Sequence, residues 1–558
     1  GSREAFSVAN TNITAARLGV DSTARDSLIN YILGVDVYDE NGNGNTTEQR
    51  EWKLGDVYHS SPVLVTPPFV PGDASYQTWS ATDAIKNRTT ILLTGANDGM
   101  LHAFRESDGV ELWAFIPPDL LDNIKILSQS GGHEFFVDSS PIAADIKVGS
   151  TWKTIVVFGE RRGGAYYHAL DITDPTNPTY MWSFTDSKIV ETWSEPVIGK
   201  VRMDCGTGCT EKYMLFFGGG YDTPSNNALG KAVFGVDAAT GVKLWEYYHT
   251  TGASNDSQYM NFSVPGNPLA LDLNNDGYID RLYIGDVGGQ LWKFDLNPTA
   301  TLGVAHLTGG LVDNWTGRRF FRPGLDSATA DLNPPASGEY YPTQAIYYAP
   351  SAALDTSGNL WLFFGTGDRN HPTLLTSTNR LYGMKDTGQT ATLLETNLVA
   401  ASTITSTSTI TTGWYLPLAT SEKTLAASNV FNFVSFFNTF TPSTTVACGT
   451  GGGDAKTYSM QMTTAYAAMD WSTNQFYATS SGSSGGSGSS SSLSNASNTR
   501  SKSIGTGIPS KPIVIISDTG VAVTTTVVTA TTSQQLPSNP APPPTSMRNI
   551  LYWKENFQ

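Results

Sequence analysis

The chain has 558 residues, of which 39% are hydrophobic and 15% charged, and its formal net charge is −16 at pH 7. This acidic balance argues against a nucleic-acid binder, which needs basic patches to contact phosphates. No apolar run approaches the roughly 18 residues of a membrane-spanning helix. The chain starts with Gly-Ser-Arg, which resembles an expression scar, so the lack of a signal peptide says nothing about secretion.

Two segments precede the first predicted strand. Residues 22–33 have the pattern of a short amphipathic helix, for which Ser22 is the predicted N-cap. Residues 39–48 read Asp-Glu-Asn-Gly-Asn-Gly-Asn-Thr-Thr-Glu, and their alternating oxygen-bearing side chains allow a second, weak metal site. Because few of these side chains are charged, we favour a polar loop.

From residue 61 onward one outline recurs along the chain. A small residue and a proline introduce an apolar strand, a second apolar strand ends in glycine, and a third leads to a turn and often a tryptophan. The leading prolines are Pro62, Pro141, Pro196, Pro268, Pro350 and Pro512. The closing glycines are Gly95, Gly159, Gly218, Gly285 and Gly365. Short strands between Gly, Pro, Asn and Asp turns are typical of antiparallel hairpins.

The spacing of the leading prolines predicts seven units. The interval from Pro350 to Pro512 is twice that of a long unit, and an apolar strand without proline begins near Lys423 in its middle. Seven units of three or four strands predict an all-β fold, namely a modified seven-bladed β-propeller with long loop insertions and a short N-terminal helix. A β-sandwich, or two unrelated β domains, is the alternative.

Composition predicts how the chain is divided. Residues 1–50 form an N-terminal extension with the short helix, and residues 51–535 form the propeller. Within it, residues 479–503 are rich in Ser and Gly and predict a flexible loop. Residues 536–558 form a Pro-rich C-terminal segment, which we expect to pack on the propeller.

Residues 272–280 read Asp-Leu-Asn-Asn-Asp-Gly-Tyr-Ile-Asp and lie between two apolar runs of the fourth unit. Tyr278 would add its backbone carbonyl, and Gly277 permits a sharp turn. This pattern predicts a Ca²⁺ site, since Mg²⁺ prefers to keep its waters. The alternative is a hairpin tip built of Asx turns. The side-chain oxygens, at positions one, three, five and nine, belong to Asp272, Asn274, Asp276 and Asp280.

Few other residues suggest chemistry. Cys205 and Cys209 are predicted to form a disulfide across a small loop, and Cys448 is predicted to be a small buried side chain. The turn Gly159–Gly164 lacks the Lys-Ser/Thr of a phosphate loop. Four histidines lack the spacing of metal ligands and are predicted to pack or to form hydrogen bonds. They are His59, His102, His168 and His371.

Five strings in the sequence together carry a resemblance to a known family. They are Trp52-Lys-Leu-Gly-Asp-Val-Tyr-His-Ser-Ser-Pro-Val, Gly95-Ala-Asn-Asp-Gly-Met-Leu-His-Ala-Phe104, Trp113-Ala-Phe-Ile-Pro-Pro118, Gly365-Thr-Gly-Asp-Arg-Asn-His-Pro372 and Asn379-Arg-Leu-Tyr. In this order the chain resembles, over residues 25–525, the C-terminal domain of the PilY1 family of type IV pilus proteins. The resemblance implies a seven-bladed propeller and places the family's calcium loop on the five positions Asp272, Asn274, Asp276, Tyr278 and Asp280.

The resemblance also implies a function. Members of the family are needed for pilus assembly, oppose retraction when calcium is bound, and act as adhesins at the pilus tip. We therefore expect a non-enzymatic, calcium-binding pilus biogenesis factor, secreted or on the bacterial cell surface. Its expected partners are the minor pilins of the pilus tip and a host or surface receptor.

Two other functions compete with this expectation. The pattern Asp237–Trp245 resembles the tryptophan-docking repeat of quinoprotein dehydrogenases, which are propeller enzymes that use calcium with a quinone. Those enzymes need a vicinal cysteine pair, which this sequence lacks. A purely structural propeller scaffold is the other alternative.

Overall fold

The computed structural model describes most of the chain. The described residues are 4–68, 72–129, 133–203, 211–223, 228–296, 307–323, 344–404, 408–443, 452–471, 475–476, 500–515, 524–528 and 533–536. Strands dominate these ranges, in which the three α-helices are short. The helices are α1 (Arg25–Ile32), α2 (Ala74–Ser80) and α3 (Asp83–Lys86). No helix in these ranges has the length and hydrophobicity needed to cross a membrane.

Helix α1 confirms the predicted N-terminal helix but not its cap. The residue before the helix is Ala24, which makes no side-chain capping bond, so the prediction of Ser22 as N-cap is wrong. Instead Asp21 Oδ1 accepts hydrogen bonds from the backbone N–H groups of Thr23 and Ala24, both at 2.9 Å. This Asx turn ends before the helix begins, because a short side chain reaches only the next two or three amides.

The first twelve strands form three sheets, each of four antiparallel strands in chain order. Sheet 1 contains β1 (Val63–Val65), β2 (Ile91–Gly95), β3 (Leu101–Arg105) and β4 (Glu111–Phe115). Sheet 2 contains β5 (Ile142–Val148), β6 (Thr151–Gly159), β7 (Tyr167–Asp171) and β8 (Thr179–Phe184). Sheet 3 contains β9 (Val197–Arg202), β10 (Glu211–Gly218), β11 (Ala232–Asp237) and β12 (Lys243–Tyr248).

The next twelve strands form two five-stranded sheets and a two-stranded ribbon. They are β13 (Leu269–Leu271), β14 (Arg281–Gly285), β15 (Leu291–Asp295), β16 (Leu307–Thr308), β17 (Leu311–Val312), β18 (Thr316–Arg322), β19 (Ser351–Leu354), β20 (Leu360–Gly365), β21 (Arg380–Asp386), β22 (Leu393–Leu394), β23 (Val399–Ala400) and β24 (Gly413–Pro417). Sheet 4 has the order β13-β14-β15-β18-β22, sheet 5 has the order β19-β20-β21-β24-β23, and β16 pairs with β17. Among the described strands, only β22 and β23 join their sheets in parallel.

The remaining strands form two further sheets and a second ribbon. They are β25 (Asn429–Phe431), β26 (Val434–Pro442), β27 (Gly453–Gln461), β28 (Met469–Asp470), β29 (Gln475–Phe476), β30 (Ser501–Thr506), β31 (Ile513–Ile515), β32 (Thr524–Val528) and β33 (Ser533–Leu536). Sheet 6 has the order β25-β26-β27-β30, sheet 7 has the order β31-β32-β33, and β28 pairs with β29.

The described strands thus form seven sheets of three or more strands, as many as the predicted units. Sheet 6 is the unit predicted without a leading proline. Closure of the sheets into a seven-bladed ring stays a prediction. The predicted end of the flexible loop at residue 503 is wrong, because Arg500 is buried and β30 begins at Ser501. Residues 477–499 and 537–558 lie outside the described residues, and so do all three cysteines.

The central strands of sheets 2 to 5 are apolar on both faces, because each of these sheets packs between two neighbouring sheets. Side chains alternate between the two faces of a strand. In β10, Met214 and Phe216 pack toward sheet 4, whereas Leu215 and Phe217 pack toward sheet 2. Five hydrophobic clusters each join two consecutive sheets in this way, from sheets 1 and 2 to sheets 5 and 6. The near-continuous apolar runs in the sequence therefore reflect two-sided burial.

Tryptophans near the outer edge of the sheets connect neighbouring sheets. The indole N–H of Trp182 in sheet 2 donates to the backbone carbonyl of Ala238 in sheet 3 at 3.0 Å. Its ring lies on Gly241, where an added Cβ would come within 2.8 Å of the ring. The same bond recurs from Trp113 of sheet 1 to Pro175 of sheet 2, at 2.8 Å. The Asp237–Trp245 pattern thus contains the turn onto which the preceding sheet docks.

Candidate metal sites

The predicted calcium loop is the hairpin connection between β13 and β14 in sheet 4. Leu271 pairs with Arg281 at the base of this hairpin, so residues 272–280 form its tip. Asn275 and Gly277 have left-handed φ angles of 59° and 87°. The nearest heavy atom to a Cβ added at Gly277 would be 3.9 Å away, so glycine serves the backbone angle here rather than close packing.

The side chains at the first three predicted positions turn inward and accept backbone hydrogen bonds. Asp272 Oδ1 accepts from the N–H of Asp276 at 3.1 Å, and Asp272 Oδ2 accepts from the N–H of Gly277 at 2.7 Å. Asn274 Oδ1 accepts from the N–H of Asp276 at 2.9 Å. Asp276 Oδ1 accepts from the N–H of Tyr278 at 3.0 Å. The loop therefore gathers these oxygens around its own backbone.

Asp280 closes the loop from the other side. Its Oδ2 accepts from the backbone N–H of Leu273 at 2.7 Å, and its own N–H donates to the Leu271 carbonyl at 2.8 Å. The next residue, Arg281, donates to Asp295 at 2.6 Å and to the buried Asp386 of sheet 5 at 3.1 Å. The hairpin base is thus held firmly beneath a more exposed tip.

Two basic residues of sheet 3 border the loop. Arg202 Nη2 donates to Asp276 Oδ2 at 2.9 Å, and both side chains are about one-third exposed. Burial opposes ionisation of Asp276, but hydrogen bonds from Arg202 and from the Tyr278 N–H outweigh it, so the pKa of Asp276 is lowered. The Tyr278 ring lies under Arg202 at 4.3 Å and under Lys200 at 4.5 Å. Positive charge thus already balances part of the acidic tip.

The donor set suits a hard cation. Three carboxylates, one amide and a backbone carbonyl within nine residues are all oxygen donors, which Ca²⁺ prefers. Asx turns account for the same hydrogen bonds, and the carboxylate oxygens of Asp272, Asp276 and Asp280 do not all lie within 4.8 Å of one another. A calcium ion here would compete with Arg202 for Asp276. This competing cation comes from sheet 3, and the loop sequence does not reveal it.

A second acidic group lies at the junction of sheets 1 and 2. Asp119 follows β4, Glu160 follows β6, and His168 lies in β7. His168 Nε2 is 3.0 Å from Glu160 Oε1 and 3.2 Å from Asp119 Oδ1. Among the described residues, this is the one group of three His, Cys, Asp or Glu side chains whose ligand atoms all lie within 4.8 Å of one another. Its members are close enough to ligate one metal ion.

Burial and hydrogen bonding dominate the electrostatics of this triad. The side chains of Glu160 and His168 are fully buried. Burial raises the pKa of the Glu160 carboxyl, and the neighbouring Asp119 adds to this effect. Burial opposes protonation of His168, but hydrogen bonds with Asp119 and Glu160 outweigh it and raise the pKa of the imidazole. Sequence reasoning missed this triad, because its members lie on three different loops and strands.

The other sequence candidates have local roles. In the 39–48 loop, Asp39 accepts from the Gly44 N–H at 3.0 Å and the side-chain amide of Asn41 donates to Glu48 at 2.7 Å, as expected for a polar loop. The histidines form hydrogen bonds, as predicted. Their partners are Asp138 for His59, Asp98 and Glu111 for His102, Glu160 for His168 and Asp368 for His371.

Known proteins share this architecture. Residues 54–403, more than half of the chain, match the PilY1 beta-propeller domain family. The type IV pilus biogenesis factor PilY1 of Pseudomonas aeruginosa (strain PAO1) is 33% identical over 273 residues, which cover 46% of this chain and 22% of that protein. A PilY1 homolog of Xylella fastidiosa (strain Temecula1) is 29% identical over 405 residues, which cover 68% of this chain and 28% of that protein.

A solved structure shares the fold. The crystal structure of the Pseudomonas aeruginosa PilY1 C-terminal domain has a TM-score of 0.55 with this chain at 24% sequence identity. The match covers 84% of this chain and 96% of that one. The stacked antiparallel sheets thus define an all-β protein of the propeller class. The chain belongs to the PilY1 family of type IV pilus biogenesis factors. It matches 22–28% of the length of these relatives.

Proposed function

We propose that this chain is a calcium-regulated propeller domain of a type IV pilus biogenesis factor and tip-associated adhesin. Family membership supports the role at the pilus. The observation that carries the calcium part is the hairpin tip at 272–280, where four oxygen-bearing side chains turn onto one short loop. Asp272, Asn274, Asp276 and Asp280 supply side-chain oxygens, and Tyr278 supplies its backbone carbonyl.

The proposed ion acts on conformation rather than on a reaction. Three carboxylates on a short loop repel one another, and a divalent cation relieves that repulsion. The ion therefore orders the tip and, through the Arg202–Asp276 contact, changes how sheets 3 and 4 meet. This change regulates pilus extension and retraction. The partners are minor pilins at the pilus tip and a surface or host receptor, and the domain acts outside the cell without catalysing a reaction.

The substitution Asp276→Ala tests this function. It removes a proposed ligand from the centre of the loop, so we expect calcium affinity to fall at least tenfold, which corresponds to about 1.4 kcal/mol. Calcium binds the folded loop and stabilises it by mass action. Calcium should therefore raise the melting temperature of the parent chain much more than that of the variant. Calorimetric titration with calcium and thermal melts with and without calcium measure both effects.

Asp108→Ala is the matched control. Asp108 is an exposed hairpin aspartate that pairs with Arg105 at 2.9 Å, as Asp276 pairs with Arg202, but no ligand pattern surrounds it. Its loss should leave calcium binding unchanged. Identical calcium titrations of Asp276→Ala and the parent chain would contradict the calcium proposal but would leave the family assignment unchanged.

A further inference from the structure

The loops that follow the second strands of three sheets meet at one place. Arg162 follows β6 of sheet 2, Tyr221 follows β10 of sheet 3, and Asn370 follows β20 of sheet 5. Arg162 Nη2 donates to Asn370 Oδ1, and Asn370 Nδ2 donates to the Tyr221 hydroxyl at 2.8 Å. Sheets that are far apart in the sequence therefore contribute to a common cluster.

Aromatic rings form the body of this cluster. The rings of Trp193 and Tyr221 have centroids 4.6 Å apart, and those of Trp193 and Tyr347 are 5.8 Å apart. All three side chains are buried. We call the following residues the Arg161 cluster: Arg161, Arg162, Arg369, Trp193, Tyr221 and Tyr347.

Arg161 is the unusual member. It is 3% exposed, and its guanidinium carbon lies 4.0 Å from the centroid of the Trp193 ring. Its Nε and Nη2 atoms are buried and donate no hydrogen bond. The Nε atom lies 3.5 Å from Asp138 Oδ2, which is longer than a good hydrogen bond. Buried donors without an acceptor are costly and are rare in folded proteins.

The carboxylates near these arginines are already engaged by other donors. The negative charges of Asp138 and Glu195 favour the protonated form of Arg161 and so act to raise its pKa. Asp368 lies in the same loop as Arg369. Each of these carboxylates also has another polar partner. These pairs are Asp138 with His59 at 2.6 Å, Glu195 with Asn267 at 2.9 Å, and Asp368 with His371 at 2.8 Å.

Like charges meet in this cluster. Burial and the repulsion from Arg369 lower the pKa of Arg161 to about 10, although Asp138 opposes the shift. The guanidinium of Arg162 lies 5.1 Å from the Phe135 ring centroid, and that of Arg369 lies 5.3 Å from that of Tyr348. Both arginines are half-buried. The three guanidiniums thus lie close to aromatic rings, and two buried donors of Arg161 have no acceptor.

The backbone holds Arg161 in this position. Its φ angle is 54°, in the left-handed region that disfavours residues other than glycine. Thr192 Oγ1 accepts from the N–H groups of Glu160 and Arg161, both at 2.8 Å, and so fixes the turn. Strain of this kind persists where surrounding contacts enforce it, which is common at binding sites.

We propose that the Arg161 cluster binds the carboxylate of a small planar organic acid, with Arg161 at the base and Arg162 and Arg369 beside it. The guanidinium fork matches the two oxygens of a carboxylate. Flanking aromatic rings suit a planar ligand. A singly charged acid is also cheaper to desolvate here than a phosphate dianion. This site lies apart from the calcium loop and is independent of it.

Binding of benzoate to the whole chain tests the site. Benzamide serves as its neutral analogue, acetate lacks the ring, and inorganic phosphate replaces the carboxylate. We expect benzoate to bind with a Kd of about 1 mM or tighter by calorimetry and to raise the melting temperature. Benzamide should do neither, and acetate and phosphate should bind more weakly than benzoate.

Two variants locate the binding. Arg369→Gln removes a half-buried guanidinium, and Arg161→Gly removes the buried one while suiting its φ angle. Each should weaken benzoate binding at least tenfold, whereas the exposed control Arg105→Gln should not. If Arg161→Gly fails to fold, benzoate binding to Arg369→Gln alone tests the proposed site. The proposal is wrong if benzoate and benzamide behave alike or if Arg369→Gln binds benzoate as the parent does. Tighter binding of phosphate than of benzoate would overturn the carboxylate assignment.

Discussion

At the scale of single residues, the acidic hairpin tip is not isolated from its neighbours. Asp276 is paired with Arg202, whose side chain comes from the last residue of β9 in sheet 3. An arginine this close repels a divalent cation and occupies one of the oxygens that the cation would use. Sequence spacing predicted the ligands, but the competing charge belongs to a different sheet.

The substitution Arg202→Gln should therefore strengthen calcium binding. The pair is partly exposed, so solvent screens it and the expected gain is roughly 3- to 10-fold in affinity. Calorimetric titration with calcium at low ionic strength measures the gain, which should shrink as salt is added. The control Arg105→Gln disrupts a similar exposed ion pair in sheet 1. Unchanged or weaker binding in Arg202→Gln would show that the calcium ligands do not include Asp276.

At the scale of elements, the interface between sheets combines apolar burial with a few directed hydrogen bonds. Period-two alternation sends the side chains of a central strand such as β10 into two different hydrophobic clusters. Apolar burial is not directional, so it does not by itself fix the position of one sheet relative to the next. The hydrogen bond from the Trp182 indole to the Ala238 carbonyl helps to fix this relative position, as does the close fit of the Trp182 ring on Gly241.

The substitution Trp182→Phe should destabilise the chain by about 1–3 kcal/mol, because it leaves the Ala238 carbonyl without its donor and shrinks the ring. Denaturant unfolding monitored by tryptophan fluorescence measures this loss as a lower denaturation midpoint. Trp52→Phe is the matched control, since Trp52 is 80% exposed and should tolerate the change. Equal midpoints for the two variants would mean that the docking bond contributes little.

At the scale of the whole molecule, stability should depend on pH through buried histidine. The His102 nitrogens lie 2.6 Å from Glu111 and 3.0 Å from Asp98. Burial opposes protonation of His102, but its hydrogen bonds to the two carboxylates outweigh this and raise its pKa to about 9. A raised histidine pKa contributes stability that is fully present below the unfolded-state value of about 6.5. That stability is lost as the pH rises toward 9.

Thermal melts of the parent chain and of His102→Gln across pH 6 to 10 test this dependence. The parent should lose up to about 3 kcal/mol over that window relative to the variant, and less where solvent screens the half-exposed Glu111. Lys423, whose pKa burial lowers to about 8, acts in the opposite direction. The difference between the two chains therefore isolates His102. Parallel pH profiles would contradict this assignment.

Much of the architecture was readable in the sequence. Leading prolines and closing glycines marked the strands, because proline cannot occupy the middle of a sheet and glycine allows close approach of neighbouring backbones. At Gly285 an added Cβ would fall 2.2 Å from Ile346 of the next unit. The helix cap was mispredicted, because the helix begins at Arg25, three residues after Ser22, and the N-cap residue Ala24 makes no side-chain capping bond.

The sequence by itself indicated the recurring strands and the oxygen-rich tip at 272–280, since each depends on residues a few positions apart. The seven-bladed ring, inferred from the longer spacing of the leading prolines, stays a prediction. The tertiary structure alone decided which distant groups meet. It brought Arg202 to Asp276, His168 to Asp119 and Arg162 to Asn370. The physical reason is that local spacing fixes which side chains share a face or a turn, whereas contacts between sheets depend on how those faces stack.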